Sequence, residues 1–302
     1  MFVGPDVSLT GLVAQRAREA ARFDFMPGVL PAGATLTRAS NGTCFASNGL
    51  LTTFAANGAR FDHDPDTLGL RGLLIEPAAT NLIHPAIDFT TVWFTEHGAT
   101  LTANQVIAPD GSMTASALFL PSTTAAGTFR TLARFSPGIS GQRTVSVWLK
   151  GAVGGERVQL LNTPEGTAYL RTDPDPLVLS NSWQRFALSG TQNDPNTYVI
   201  LGVDNRSGLL STADQTIHVW GAQAELAASA SSFIATTGAA VTRAADALVL
   251  DWASKGLADG SHVLRFGFDD GSSQDVMTTV TGGTATVPTT LNRAWIRSVE
   301  RV

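Results

Sequence analysis

Between Arg143 and Ala224 the chain repeats one pattern, a short segment in which every second residue is apolar. The segments are Thr144–Gly151, Arg157–Asn162, Ser182–Gly190, Thr197–Asn205 and Thr216–Glu225. Such alternation is typical of a β-strand with one buried face. Turn-forming residues, for example Gly154-Gly155, separate the segments, so the chain reverses repeatedly. Antiparallel strands without helices between them must cover one another's apolar faces, which predicts an all-β, two-sheet sandwich.

The flanking regions differ from this central stretch. Residues 8–22 have the apolar spacing of a helix, so residues 1–21 are predicted to form a helical arm. Three Asn-Gly pairs then indicate tight turns in a module of short strands over residues 22–80. The sandwich is assigned to residues 81–241, and a small C-terminal β domain to residues 242–302.

The composition excludes some classes of partner. The net charge is −5 and the pI about 5.5, whereas binding to a nucleic-acid backbone or an anionic membrane needs a basic surface. Cys44 is the single cysteine, so no internal disulfide can form. The sequence shows neither a signal-peptide pattern nor an apolar run of membrane-spanning length. We therefore expect no nucleic-acid partner, no membrane insertion and synthesis in a cytoplasm.

Motifs that carry chemistry are missing from the sequence. It contains no Gly-x-Ser-x-Gly elbow, no phosphate-binding loop and no His-Glu-x-x-His helix. The string Asp62-His63-Asp64-Pro65-Asp66 is the most metal-like, but a solvated turn explains it better. We expect a non-enzymatic protein without catalytic residues, resident metal or cofactor.

Sugar binding is a softer prediction. Aromatic rings stack on the apolar faces of sugars, and amide groups supply hydrogen bonds. The residues of these types on neighbouring predicted strands are Trp148, Tyr198, Gln159, Asn162 and Asn205. They form the predicted glycan site. The alternative is that Trp148, like Trp183 and Trp220, fills the sandwich core, with Tyr198 the most exposed of the set.

The N-terminal region resembles a known family. Its motifs are Phe23-Asp24-Phe25, Thr37-Arg38-Ala39-Ser40, Asn48-Gly49-Leu50, Arg60-Phe61-Asp62-His63-Asp64-Pro65, Arg71-Gly72-Leu73-Leu74-Ile75-Glu76 and Thr80-Asn81-Leu82. In this order they are similar to the N-terminal module of tailed-bacteriophage appendage proteins, namely minor tail, tail-fibre and head-spike proteins. The resemblance implies that residues 22–80 attach the protein to a virion.

A second resemblance covers residues 81–241. Asn81-Leu82-Ile83, followed by Phe89 and Trp93, looks like the opening of jelly-roll carbohydrate-binding modules. Many such modules hold a structural calcium ion with an Asp-Asp-Val strand, but here the corresponding strand reads His218-Val219-Trp220-Gly221. A structural calcium site is therefore a minor alternative, with Asp88 and Glu225 as possible oxygen ligands.

Together these resemblances imply a virion surface protein made in a bacterial cytoplasm, more often a homotrimer than another homo-oligomer. Its partners would be other virion subunits and a host-surface polysaccharide bound by the jelly roll. Two alternatives stay open. The protein is a purely architectural connector with a degenerate sugar module, or it is a glycan-degrading or esterase spike.

Overall fold

The computed structural model describes residues 21–137, 140–164, 170–171, 176–192, 194, 196–206, 208 and 210–302. In this part of the chain the fold is all-β, and every strand pairing is antiparallel. The predicted fold class is confirmed. The helical arm predicted over residues 1–21 lies outside the described residues except for Ala21. Among the described residues no helix is long and apolar enough to cross a bilayer.

The strands follow one another with one short 3-10 helix among them. The first six are β1 (Arg22–Asp24), β2 (Ala34–Thr37), β3 (Gly42–Phe45), β4 (Leu51–Phe54), β5 (Phe61–His63) and β6 (Leu70–Leu74). The next thirteen are β7 (Ala79–Asn81), β8 (Phe94–Glu96), β9 (Thr100–Val106), β10 (Ala115–Leu120), β11 (Thr128–Pro137), β12 (Gly141–Gly151), β13 (Arg157–Pro164), β14 (Leu170–Arg171), β15 (Leu177–Val178), β16 (Gln184–Gln192), β17 (Asn196–Asn205), β18 (Gln215–Glu225) and β19 (Val241–Arg243). The last five are β20 (Ala247–Asp251), β21 (Gly260–Phe268), β22 (Ser273–Val280), β23 (Thr284–Thr286) and β24 (Trp295–Arg301), and the 3-10 helix spans Ala253–Lys255.

The chain divides into two compact units. Ala79–Arg243 forms the first, here called the sandwich unit. The second combines the described residues up to Ala78 with Ala244–Val302 and is called the split unit. The sequence predicts separate modules at residues 22–80 and 242–302, but the structure joins these two segments in one unit. The cause is a shared sheet, because β1 and β6 both pair with β24.

The sandwich unit is a jelly-roll sandwich of two sheets. One sheet has the order β16-β12-β18-β10-β9, and the other has the order β14-β13-β17-β11-β8, with β15 beside β13. One apolar cluster takes alternate residues from both sheets, for example Val147 of β12 and Leu201 of β17. Alternation puts every second side chain on the same face, so this cluster is the core between the sheets.

Asn81 ties the entry of the sandwich unit to its last strands. Its side chain is fully buried, and its Nδ2 donates to the carbonyl oxygens of Ala222 (3.1 Å) and Ile234 (2.9 Å). Its Oδ1 accepts the backbone N–H groups of Ile83 and Ala224. Four satisfied hydrogen bonds offset the cost of burying a polar side chain.

The split unit has one large sheet, β22-β21-β24-β6-β5, with β1 on β24. A second sheet, β2-β20-β23, and the β3-β4 hairpin complete it. Its apolar core draws on both chain segments, with Phe23 packed edge-on against Trp252 at 4.9 Å. Burying this apolar surface requires both segments, which is why neither forms a domain by itself.

A buried network of charges also connects the two segments of the split unit. The Asp246 carboxylate pairs with Arg38 (3.0 Å) and Arg60 (2.5 Å), and Arg60 also pairs with Glu76 at 2.7 Å. Both arginines and Asp246 are almost completely buried. Two hydrogen bonds also join Glu76 and Asp246. The N–H of Glu76 donates to the Asp246 carboxylate, and the N–H of Asp246 donates to the carbonyl oxygen of Glu76. These buried charges are compensated by one another, as burial requires.

Candidate functional site

Trp148, the first residue of the predicted glycan site, is buried and 3% exposed. Its ring lies 5.4 Å from that of Trp220 and 5.3 Å from that of Phe233, and the guanidinium of Arg185 lies 4.4 Å above it. Its neighbours in β12 belong to the sandwich core, so Trp148 occupies the outer face of the sheet. Phe233 and Arg185 cover it there, and it cannot stack on a sugar.

Three more predicted residues are also buried and hold the protein's own backbone. Gln159 Oε1 accepts the N–H of Asp204 (3.1 Å), and Asn162 Nδ2 donates to the carbonyl of Tyr198 (3.3 Å). Asn205 Nδ2 donates to a loop carbonyl at 2.6 Å. Tyr198 is only half-buried. It belongs to the opposite sheet from Trp148, so the five residues do not form one surface.

The residues suggested for calcium are engaged separately. Asp88 Oδ1 accepts the N–H and the hydroxyl of Thr90, at 2.8 and 2.6 Å. Glu225 is buried and accepts the N–H and the hydroxyl of Ser231. Within the described residues, no group of three or more His, Cys, Asp or Glu side chains is placed to hold a metal ion.

The split unit contains an open cleft with a volume of about 410 Å³. It is lined by Asp64, Thr67, Gly69, Leu70, Arg71, Asp269, Arg293, Trp295 and Arg297. These residues come from the turn after β5, the start of β6, the turn after β21, the loop before β24 and the beginning of β24. We call it the Arg-Trp cleft, since three arginines and one tryptophan dominate its lining.

Trp295 is the aromatic residue of the Arg-Trp cleft. It is half-buried, and the next residue, Ile296, belongs to the core of the split unit. Because strand residues alternate between faces, Trp295 is directed away from that core. Its Nε1 donates to Asp62 Oδ2 at 2.6 Å, which fixes the plane of the ring. The guanidinium groups of Arg71 and Arg293 lie 5.4 and 5.8 Å from the ring centroid.

Two of the arginines in the cleft are paired with carboxylates. Arg71 Nη2 contacts Asp64 Oδ2 at 2.9 Å, and Arg293 holds Asp269 with two bonds of 2.6 and 2.9 Å. The N–H of Thr67 and the Arg71 guanidinium lower the pKa of Asp64 to about 2. At neutral pH Asp64 is therefore an ionised hydrogen-bond acceptor.

Arg297 differs from these two arginines. Its Nε donates to the carbonyl oxygen of Arg71 at 3.1 Å, which holds the side chain along β6. Among the described residues no carboxylate forms an ion pair with it. Gly72 makes this arrangement possible, because a Cβ atom there would lie 2.5 Å from the carbonyl oxygen of Ile296. The close approach of β6 to β24 thus requires a glycine.

The sequence motif Asp62-His63-Asp64 contributes to this cleft, though not as a metal site. Burial raises the pKa of Asp62, which accepts hydrogen bonds from Trp295 and the N–H of Phe45. His63 Nδ1 lies 3.3 Å from the carbonyl oxygen of Phe45, while Asp64 pairs with an arginine. The three side chains therefore serve different partners. The only sequence signal for the cleft was the density of Arg and Asp around residues 62–71 and 269–297.

Comparisons with known proteins concern the fold. No protein-family model matches the chain, and no curated protein matches it. Among solved structures, the enzymatically active domain of bacteriophage CBA120 tailspike protein 4 is 10% identical, with a TM-score of 0.33, over 48% of this chain and 21% of that one. A carbohydrate-binding module described as CBM4 is 14% identical, with a TM-score of 0.34, over 47% and 97%. The family 11 carbohydrate-binding module from Clostridium thermocellum is 10% identical, with a TM-score of 0.35, over 50% and 96%. These similarities show neither a ligand nor a function for this chain.

Proposed function

We propose that this protein is a non-enzymatic surface protein of a tailed phage or phage-like particle, and that it contacts a host glycan through the Arg-Trp cleft. The observation that carries the glycan part is Trp295, a half-buried indole in an open cleft with guanidinium and carboxylate groups around it. This replaces the jelly-roll residues predicted from sequence, four of which are buried.

The cleft has the chemistry that a saccharide needs. A sugar ring offers an apolar C–H face and a rim of hydroxyl groups, which donate and accept hydrogen bonds. Trp295 is half-buried and supplies the aromatic surface that Arg71 and Arg293 leave exposed, the arginines supply donors, and Asp64 and Asp269 supply acceptors. Ion pairing holds these groups in place before a ligand arrives, so little side-chain freedom is lost on binding.

The two carboxylates that line the cleft, Asp64 and Asp269, support binding without hydrolysis. Asp62, whose pKa is raised by burial, is engaged by Nε1 of Trp295. Glycoside cleavage uses one carboxyl group that stays protonated near neutral pH, as the general acid. Asp64 has its pKa lowered to about 2, and Asp269 accepts two bonds from Arg293. Both carboxylates accept hydrogen bonds from neighbouring groups of the cleft. Neither residue is assigned the role of a catalytic acid, and binding requires no cofactor.

The virion part of the proposal rests on the sequence resemblance. Three of its motifs contain Arg38, Arg60 and Glu76, which belong to the buried charge network of the split unit. The resemblance is thus carried by residues that stabilise this unit. By the same resemblance we propose that the protein is a homotrimer and that it binds other virion subunits. Sedimentation of the purified protein tests the homotrimer.

An architectural role is the second candidate, and it concerns the sandwich unit. Trp148, Gln159, Asn162 and Asn205 are buried and bind other groups of this chain. That burial favours a spacer or connector over a sugar-binding face at this place in the sandwich.

A binding experiment tests the glycan proposal. Purified protein is applied to a glycan array and to host cells, beside Trp295→Ala and the control Trp183→Ala. Trp183 is also half-buried and donates its Nε1 to a carbonyl, that of Ile107, but it lies in the sandwich unit. We expect Trp295→Ala to weaken binding about tenfold or more, and the control to bind normally. Absence of any glycan binding by the folded wild type would refute the proposal.

A further inference from the structure

One arginine of the Arg-Trp cleft has no ion-pair partner among the described residues. Arg71 is matched by Asp64, and Arg293 is matched by Asp269, in contacts of 2.9 and 2.6 Å. Each of these pairs is close to neutral as a unit. The guanidinium of Arg297 is left among the lining residues with one hydrogen bond, from Nε to a backbone carbonyl. Its two terminal nitrogen atoms have no ion-pair partner among the described residues.

Two further carboxylates stand near the cleft without lining it. Asp62 lies 3.7 Å from Arg71 and is committed to Trp295 and a backbone N–H. Asp270 lies 3.3 Å from Arg293, and its Oδ1 accepts the N–H and hydroxyl of Ser272. Both therefore face arginines that are already paired, and neither is in ion-pair contact with Arg297.

We propose that the cleft selects saccharides that carry an anionic group, and that Arg297 binds this group. The inference rests on the proposed glycan-binding function of the same cleft. A carboxylate on a sugar is planar and matches the fork of a guanidinium with two parallel hydrogen bonds. The fixed Nε contact leaves the outer edge of Arg297 for such a ligand, while Trp295 takes the ring of the sugar. A sulfate ester presents a similar set of oxygen atoms, so both kinds of acidic sugar belong to this class.

The experiment compares acidic saccharides with their neutral counterparts. An array and solution titrations contain galacturonate beside galactose, glucuronate beside glucose, and sulfated beside unsulfated galactose, each as short oligosaccharides. The full-length wild type is compared with Arg297→Gln, Arg297→Lys and Arg265→Gln. Arg265 is the matched control, because it is an exposed arginine of the split unit that pairs with Asp275 outside the cleft. Circular dichroism confirms that each variant is folded.

We expect the wild type to prefer acidic over neutral saccharides. Loss of a charge-assisted hydrogen-bonding pair corresponds to about ten- to hundredfold weaker binding, so Arg297→Gln should lose that factor for acidic ligands. Neutral ligands should lose less affinity than acidic ones in this variant, because glutamine keeps an N–H donor but not the charge, so the ratio of acidic to neutral affinity should fall. Arg297→Lys should be intermediate, because it keeps the charge but loses the fork. The two acidic arms show whether carboxylate or sulfate is preferred.

The contrary outcomes separate this inference from the function on which it rests. Equal binding of acidic and neutral saccharides overturns the inference and leaves the glycan-binding function standing. An acidic preference that survives in Arg297→Gln overturns the role of Arg297. A wild type that binds no saccharide overturns both.

Discussion

Asp246 receives two arginines, Arg38 and Arg60, and also accepts the backbone N–H of Glu76. Removing such a carboxylate leaves two guanidinium groups buried with less compensation. Buried ion pairs are costly to break for this reason, even where their net contribution to stability is small. At the scale of single residues, the split unit is therefore most sensitive at this position.

We expect Asp246→Ala to lower the free energy of unfolding of the split unit by about 3–5 kcal/mol. Urea unfolding followed by tryptophan fluorescence measures the change. The control is Asp275→Ala, which removes an exposed carboxylate paired with Arg265 and should have little effect. Equal losses in the two variants would show that the buried network does not carry this stability.

Asp64 gives a prediction for pH. Its pKa is lowered from 3.8 to about 2, so the folded state favours the ionised carboxylate. The stabilisation is fully present above the unfolded value of 3.8 and is lost as the pH falls toward 2. We therefore expect the stability advantage of wild type over Asp64→Asn to shrink across this interval, in urea titrations at several pH values. A constant difference would contradict the assignment.

The sequence alone did not predict which single residues are accessible to a ligand. Residue type indicated Trp148 and Asn205 as sugar ligands, but type does not say which face of a strand is covered. Trp148 lies beneath Phe233, a residue far from it in sequence. No local pattern marks Trp295, because its neighbours in the cleft come from β6 and from the turns after β5 and β21, and their convergence depends on strand order.

At the scale of secondary-structure elements, the pairing of β6 with β24 positions the side chains of the Arg-Trp cleft. Gly72 adopts a φ of 141°, and β24 passes so close that a Cβ atom would lie 2.5 Å from the oxygen of Ile296. The same approach brings the carbonyl oxygen of Arg71 to Nε of Arg297. Backbone contact between the two strands thus determines where the side chains of the cleft stand.

We expect Gly72→Ala to lower the free energy of unfolding by more than about 1 kcal/mol and to weaken glycan binding, since the two strands must move apart. The control is Gly256→Ala. That glycine has a φ of 73° but no atoms near a Cβ, so it reports backbone strain without the clash. Thermal unfolding and glycan titration measure both effects. If the two variants lose the same stability and keep the same affinity, the close approach is not required.

The sequence predicted the positions of individual strands better than it predicted the binding residues or the domain boundaries. The alternating segments at residues 144–151 and 216–225 correspond closely to β12 and β18. Alternation is a local property, and each strand carries its own copy of it. The pairing of β1 with β24 has no such local signal, because it joins residues from opposite ends of the split unit. For that reason the sequence divided one unit into two modules.

At the scale of the whole molecule, the sandwich unit is inserted in the sequence of the split unit. The chain leaves the split unit at Ala78 and re-enters it at Ala244, and between these points lies the sandwich unit. Entry and exit of the sandwich unit are neighbours, because β7 and β19 pair along their length, from Asn81 with Val241 to Ala79 with Arg243. A domain inserted at adjacent points can be removed without displacing the rest.

We therefore expect a chain in which a short Gly-Ser linker joins Ala78 to Ala244 to fold and to retain the Arg-Trp cleft. Its core and charge network lie wholly within the split unit. Near-ultraviolet circular dichroism and glycan titration against the full chain measure this. An unfolded product, together with a full chain that folds normally, would show that the split unit depends on the sandwich unit.

The pairing of Arg22 with Glu300 also determines the order in which the two units can fold during synthesis, because β1 needs β24 as its partner. A ribosome makes β1 to β6 first, yet their partners β21 and β24 emerge only after the complete sandwich unit. Domains generally fold as units during synthesis, so the sandwich unit can reach its final form while Phe23 and Phe25 still lack the residues that bury them. Strands β1 to β6 therefore expose apolar surface until β21 and β24 are made, and the Arg-Trp cleft forms last. Termination of translation before β24 would therefore release a chain with a folded sandwich unit and without the Arg-Trp cleft.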